Sequence, residues 1–210
     1  DLDFVEQELQ NIHVSSSKDV YFNESFTSKN LITNGVNSDY DRIHIARHAE
    51  FLPGEPANSL IHTSDDAISM KQLSEFRIKR KDIPLDLFVL SACRTAIGDS
   101  QTELGFSGLA LQASARSAIG TLWYIDDVVT SAYFVQFYEF LDEGIPKADA
   151  IRLTRRAFIE NKIKIEKDYI LGVNGQILIT GLKTNEIKNL QKSLDNPYFW
   201  AGIQIMGSPW

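Results

Sequence analysis

Apolar positions recur along the chain at two spacings, one helical and one extended, and segments of the two kinds alternate. Phe4, Val5, Leu9 and Ile12 fall at helical intervals and predict a short opening helix that breaks at His13-Val-Ser-Ser-Ser-Lys18. Asp19-Val-Tyr-Phe22 reads as a short strand. Thr27 then precedes a short helix from Ser28 to Thr33 that stops at Asn34-Gly35. The run 42–47 predicts a strand, and Pro53-Gly-Glu-Pro-Ala-Asn58 a loop, because two prolines and a glycine deny the backbone a regular ladder. Ser59 to Thr63 reads as a small strand, and Ser69 caps a turn of helix that runs through Leu73.

From Asp86 to Ala92 the apolar run is continuous, the pattern of a strand buried on both faces. A glycine-containing connection, Gly98 to Gly108, leads into an Ala/Leu helix near 107–115, and Ser117 to Trp123 predicts a further parallel strand. Asp126 and Asp127 offer an N-cap to an apolar helix from Val128 to Leu141. The next helix, Ala148 to Asn161, turns Ile151, Leu153, Ala157 and Phe158 inward and Arg152, Arg155 and Arg156 mostly outward, as a solvated face. Tyr169 to Thr180 reads as a hairpin about Asn174-Gly175, followed by a helix near 184–193 and a last strand from Ala201 to Met206. Strands separated by helices of this length predict an α/β fold, a mostly parallel sheet with helices on both faces. Ligands of such sheets bind beyond the carboxyl ends of the strands.

Two chemically able side chains fall at such ends. The run Ile43-His-Ile-Ala-Arg-His48 closes on a histidine, and Leu87-Phe-Val-Leu-Ser-Ala-Cys93 closes on the one cysteine of the chain. If the two runs are neighbouring parallel strands, thiol and imidazole meet at the mouth of one crevice, the minimum apparatus of a cysteine hydrolase. A thiol attacks carbonyls as its thiolate, so an adjacent imidazole must take its proton and later protonate the leaving amine. The backbone N–H groups of Ala49 and Cys93, expected just past the strand ends, are the candidate donors for the oxyanion. By position alone a cysteine at the end of a buried strand is most often a small core hydrophobe. Trp123, Phe199 and Trp200 read as core or pocket-wall residues.

Composition narrows the partners. At 210 residues and 43% apolar content the chain suits one compact domain, 1–210. Its net charge of −7, with both signs scattered, argues against a nucleic-acid surface and favours basic ligands or Arg/Lys-containing peptides. A single cysteine excludes an internal disulfide framework, so a reducing, cytoplasmic setting is expected. The acidic opening does not read as a signal peptide, and no apolar run reaches the length of a membrane span. His44 stands four residues before His48, roughly 13 Å away along a strand, and no third ligand is in view. Neither a metal nor another cofactor is expected.

Four blocks carry a resemblance. Asp41-Arg-Ile-His44-Ile-Ala-Arg-His48-Ala49, Val89-Leu-Ser-Ala-Cys93-Arg-Thr95, Ala115 to Asp127 with its Gly-Thr-Leu-Trp123, and Asn196-Pro-Tyr-Phe-Trp200-Ala-Gly202 resemble the CHAT domains. These are caspase-like peptidase domains, related to separase and commonly fused behind TPR repeats in bacteria. The likeness implies a caspase-like three-layer sandwich and a cysteine endopeptidase, with His48 as general base and acid and Cys93 as nucleophile. It also implies that Asp127, with Asp126 in reserve, lines a pocket for the basic residue before the cut. A carboxylate there would take an arginine through two parallel charge-assisted bonds that lysine cannot copy. Asp65 and Asp66 stand further from the four blocks. The family's usual opening strand is missing before the first helix, so the chain reads as the C-terminal part of a longer protein regulated by other domains or partners, such as TPR repeats. One departure stands out: the family usually has glycine after the histidine, where this chain has Ala49. If that position needs positive φ, alanine adds strain, and a catalytically silent interaction module becomes the competing reading.

Overall fold

The computed structural model describes residues 4–47, 49–50, 59–73, 75–80, 83–91, 93–94, 115–190 and 194–210, with Glu50, Met70, Arg77, Cys93 and Arg94 described by their backbone alone. In chain order the first elements are α1 (Val5–Asn11), α2 (Ser28–Gly35), β1 (Arg42–Ile45), β2 (Ala49–Glu50), β3 (Leu60–His62) and β4 (Ala67–Ser69). Next come α3 (Met70–Leu73), α4 (Glu75–Lys79), β5 (Leu85–Leu90), β6 (Cys93–Arg94) and β7 (Ala115–Thr121). The remainder is α5 (Asp127–Asp142), α6 (Lys147–Ile159), β8 (Lys164–Glu166), β9 (Tyr169–Leu171), β10 (Ile177–Thr180), α7 (Thr184–Leu190) and β11 (Ile203–Gly207). Packing divides the chain into two compact units: 21–124 with 203–209, and 1–20 with 125–202 and Trp210.

The unit built on 21–124 holds a four-stranded sheet of order β1-β5-β7-β11, in which β1, β5 and β7 are parallel and β11 is antiparallel. This mixed, mostly parallel α/β arrangement is compatible with a caspase-like sandwich. Residues 87–90 of β5 are fully buried, as the continuous apolar run requires. Leu31 of α2 and Phe76 of α4 pack with Phe88, Leu90 and Ala118, and Ile61 and Ile68 of a second small sheet, β4-β3-β2-β6, join the same cluster. Gly35 lets α2 close on α4, because a Cβ there would stand 2.3 Å from the Phe76 ring. Arg80, only 2% exposed, ties these elements to the strands they feed. Its guanidinium donates to the carbonyls of Gly35 (3.1 Å), Asn37 (2.6 Å), Tyr40 (2.6 Å) and Ile83 (3.0 Å).

The other unit is organised by α5, whose residues are buried nearly all round, with α1, α6 and β10 packed against it. Tyr133 stacks on Phe158 of α6 with ring centroids 5.9 Å apart. The hairpin β9–β10 turns at Asn174-Gly175, where Gly175 takes φ +76°. Gln7 and Asn11 of α1 lie along β10: Gln7 pairs with both the N–H and the carbonyl of Thr180, and Asn11 donates to the Leu178 carbonyl at 2.8 Å. These amides occupy an edge that would otherwise stay open.

Several expectations need correction. Residues 19–22 form no strand; the segment joins the two units, and none of the described strands pairs with it. The final strand begins at Ile203, because a 3-10 turn over Pro197–Phe199 and the bond from Ala201 N–H to the Pro197 carbonyl carry the chain to residue 201. Arg155 does not share the solvated face of Arg152 and Arg156: it is half-buried and hydrogen-bonds with the Tyr133 hydroxyl. The loop at 53–58, and the helix expected near 107–115 apart from Ala115, which opens β7, lie outside the described residues.

Candidate functional site

The two runs singled out in the sequence are neighbouring parallel strands. Ile43 pairs with Phe88, His44 with Val89 and Ile45 with Leu90, and the Ser91 N–H donates to the Ile45 carbonyl at 3.0 Å. Both chains then pair again, also in parallel, Ala49 with Cys93 and Glu50 with Arg94. Three residues separate the two ladders on the first chain and two on the second, so the register shifts by one. A single extra residue in a paired chain bends it and re-aims its side chains. His48 is the last of the three and lies outside the described residues.

Ala49 is 3% exposed and sits between Ile61 of β3 and Cys93 of β6. The described non-glycine residues with positive φ are Asn23, Asn161 and Lys167, so Ala49 is ordinary extended backbone and carries no left-handed strain. Ala49 and Cys93 also belong to a second ladder rather than following the end of one. The availability of their N–H groups is therefore decided within β2 and β6.

The acidic candidates have structural partners. Asp126 is the N-cap of α5, its side chain accepting from Val128 N–H at 3.0 Å. Burial raises its carboxyl above the ordinary range; the N–H groups of Val128 and Val129 oppose the shift, and the charge of Glu186 adds to it. Asp127, one residue further, accepts from Phe4 N–H at 3.1 Å and so ties the start of α1 to the start of α5. Asp65 accepts from Ser28 N–H (2.8 Å), Ser28 Oγ (3.2 Å) and Thr63 Oγ1 (3.0 Å), and the Ser28 N–H leads the bonds that hold its carboxyl low. Asp66 offers its carbonyl to Thr63. Trp123, Phe199 and Trp200 are half-buried, and the Trp200 indole donates to the Asp195 carbonyl at 3.3 Å.

Sequence reasoning passed over Ser91. It is 3% exposed, and its hydroxyl has no hydrogen-bond partner among the described residues. The available signal was a lone hydroxyl inside an otherwise apolar run. Among the described residues no group of three or more His, Cys, Asp or Glu is placed to hold a metal ion, and no helix is long and apolar enough to cross a membrane.

The family model for the CHAT domain matches residues 1–208. No curated protein matches the chain.

Proposed function

The chain belongs to the CHAT domain family, and from that membership and the pairing of Ala49 with Cys93 we propose that it is a caspase-like cysteine endopeptidase with His48 and Cys93 as its dyad. The pairing is the observation that carries the reading. His48 is one peptide link, about 3.8 Å between Cα atoms, from Ala49, and paired strands stand about 4.8 Å apart. An imidazole and a thiol can reach each other over the sum of those separations.

In this reading His48 takes the Cys93 proton, and the thiolate adds to the carbonyl carbon of the scissile peptide. The tetrahedral oxyanion is held by backbone N–H groups, with those of Ala49 and Cys93 as the donors in view. Collapse expels the amine, which takes its proton from His48 and leaves an acyl-enzyme. A water deprotonated by the same ring then hydrolyses the thioester. Asp127 is the proposed partner of the basic residue before the cut, arginine above lysine, by the resemblance to the family's pocket, with Asp126 in reserve; both carboxylates also serve the start of α5, Asp126 as its cap and Asp127 through Phe4 N–H. Control of the activity is assigned to regions or partners outside this chain, TPR repeats being the kind the family joins to this domain. The rival reading, a catalytically silent interaction module, rested on strain at Ala49, and the extended backbone there removes that ground.

The test is cleavage of an arginine-containing peptide by the parent, Cys93→Ala and His48→Ala proteins, with thermal melting alongside. Both variants are expected to fold like the parent and to lose cleavage. A variant that still cleaves at the parent rate would show that the dyad is misassigned.

A further inference from the structure

The small sheet β10-β9-β8 ends on β8, and none of the described strands pairs with the far edge of that strand. β8 and β9 are joined by the two-residue turn Lys167-Asp168, with Glu166 paired to Tyr169, Ile165 to Ile170 and Lys164 to Leu171. A turn of that length closes on a hydrogen-bonded pair, here Glu166 with Tyr169, and hydrogen-bonded and open pairs alternate along an antiparallel ladder. The N–H and carbonyl of Ile165 therefore point away from β9, to the far edge. Side chains alternate as well. Ile165 shares the face of Ile170, which is fully buried. Lys164 and Glu166 share the opposite face, where they join in a 2.6 Å ion pair with side chains 53% and 42% exposed.

Charges on a short edge strand commonly block pairing with other chains. Here the two are of opposite sign and stand evenly about Ile165, which makes the edge complementary to a reversed copy of itself. We propose that β8 is a self-association edge, on which a second copy of this chain pairs antiparallel about a two-fold axis at Ile165, joining two three-stranded sheets into one of six. In that register the two Ile165 residues exchange both backbone bonds, and each Lys164 stands opposite the partner's Glu166. Charge selects this register over its neighbours. Moving the axis by one residue sets Lys164 opposite Lys164 or Glu166 opposite Glu166; moving it by two sets Lys164 opposite Lys162 or Glu166 opposite Asp168. Like charges meet in every one of these, and directly opposite one another they destabilise a strand pair. The contact is isologous, so it closes at two copies and leaves no β8 edge open. It lies within the unit built on α5 and requires nothing of the dyad.

Sedimentation equilibrium of the whole chain, with hydrogen exchange over the same concentrations, tests the pairing. The parent is expected to dimerise with a Kd on the order of 0.1 mM, in keeping with a contact smaller than a standard interface. The Ile165 amide is expected to gain protection as the dimer forms. Lys164→Glu and Glu166→Lys are each expected to weaken dimerisation about tenfold or more, since both symmetric charge pairs turn repulsive. Mixed in equal amounts, the two variants are expected to pair with each other as strongly as the parent pairs with itself, because two acidic positions on one copy then face two basic positions on the other. That rescue separates lost pairing from lost folding. A parent that stays monomeric up to about 1 mM overturns the proposal, and so does a dimer that neither variant weakens, which would place the contact on another surface. Two variants that remain monomeric when mixed also overturn it.

Discussion

Gln136 spends both ends of a fully buried amide: Oε1 accepts from Val173 N–H at 2.8 Å, and Nε2 donates to Glu139 Oε2 at 3.1 Å. Burial pushes the Glu139 carboxyl up to about 7; the like charge of Glu143 adds to this, and the Gln136 bond and His13 oppose it. A carboxyl raised by folding is one whose charged form the fold disfavours. Its contribution to stability is complete below the unfolded value of 4.5 and is lost as pH rises through about 7. Glu139→Gln, neutral throughout, is therefore expected to melt above the parent at about pH 8 and level with it at about pH 4. Because the side chain is half-exposed, solvent screening discounts the gain to about 1 kcal/mol. Thermal melts at the two pH values decide it: a gain of equal size at both would trace the effect to packing rather than charge. Asp142, one turn on, behaves in the opposite sense. The hydroxyl and N–H of Ser15 (2.8 and 2.5 Å) and the His13 ring (2.9 Å) hold its carboxyl low, so its contribution is present above the ordinary carboxylate range and fades as pH falls.

Elements of this chain were legible where their signals are local. Asp126 caps α5 as the sequence predicts, and Asn174-Gly175 turns the hairpin, because an N-cap and a type of turn are each decided within about four residues. Three-residue strands such as β4 and β8 went unread, since their stabilisation comes from partners found only in three dimensions. The parallel neighbourhood of the two site strands could be argued from the apolar runs, but the one-residue shift between their ladders could not, because register belongs to pairs of strands. The same limit governs Asp126 and Asp127, adjacent in sequence but different in use. Asp126→Ala is expected to lower stability by about 1 kcal/mol through loss of the cap, with cleavage changed no more than stability explains. Asp127→Ala is expected to lower cleavage after arginine far more than it lowers stability. Urea unfolding measured beside kcat/KM on arginine and lysine peptides separates the two; an Asp127→Ala variant whose losses match would leave that residue as a tie between α1 and α5.

At the scale of the whole molecule the chain path is interleaved. It leaves the unit that holds β7 at Tyr124 and returns at Ile203 to lay β11 against that strand. The return is built to hold: five residue pairs run from Ile203 with Thr121 to Gly207 with Ser117, Ser208 N–H donates to the Arg116 carbonyl at 2.8 Å, and the Ser117 hydroxyl reaches back to Ser208. Ile203 is fully buried. Removing residues 203–210 would forfeit the burial of that side chain, worth about 1.5–3 kcal/mol, together with several ladder bonds at about 1 kcal/mol each. The sum approaches the roughly 5–15 kcal/mol that holds a domain together. A protein ending at Gly202 is therefore expected to lose hydrogen-exchange protection through β7 and into its parallel neighbour β5, and to associate through the bared edge. Because β5 leads directly to Ser91 and Cys93, the distant C-terminal strand becomes a determinant of the site: the pH profile of Cys93 alkylation should move to that of a free thiol in the truncated protein. Full protection of β7 amides after truncation would show that β11 only covers the sheet and does not hold it.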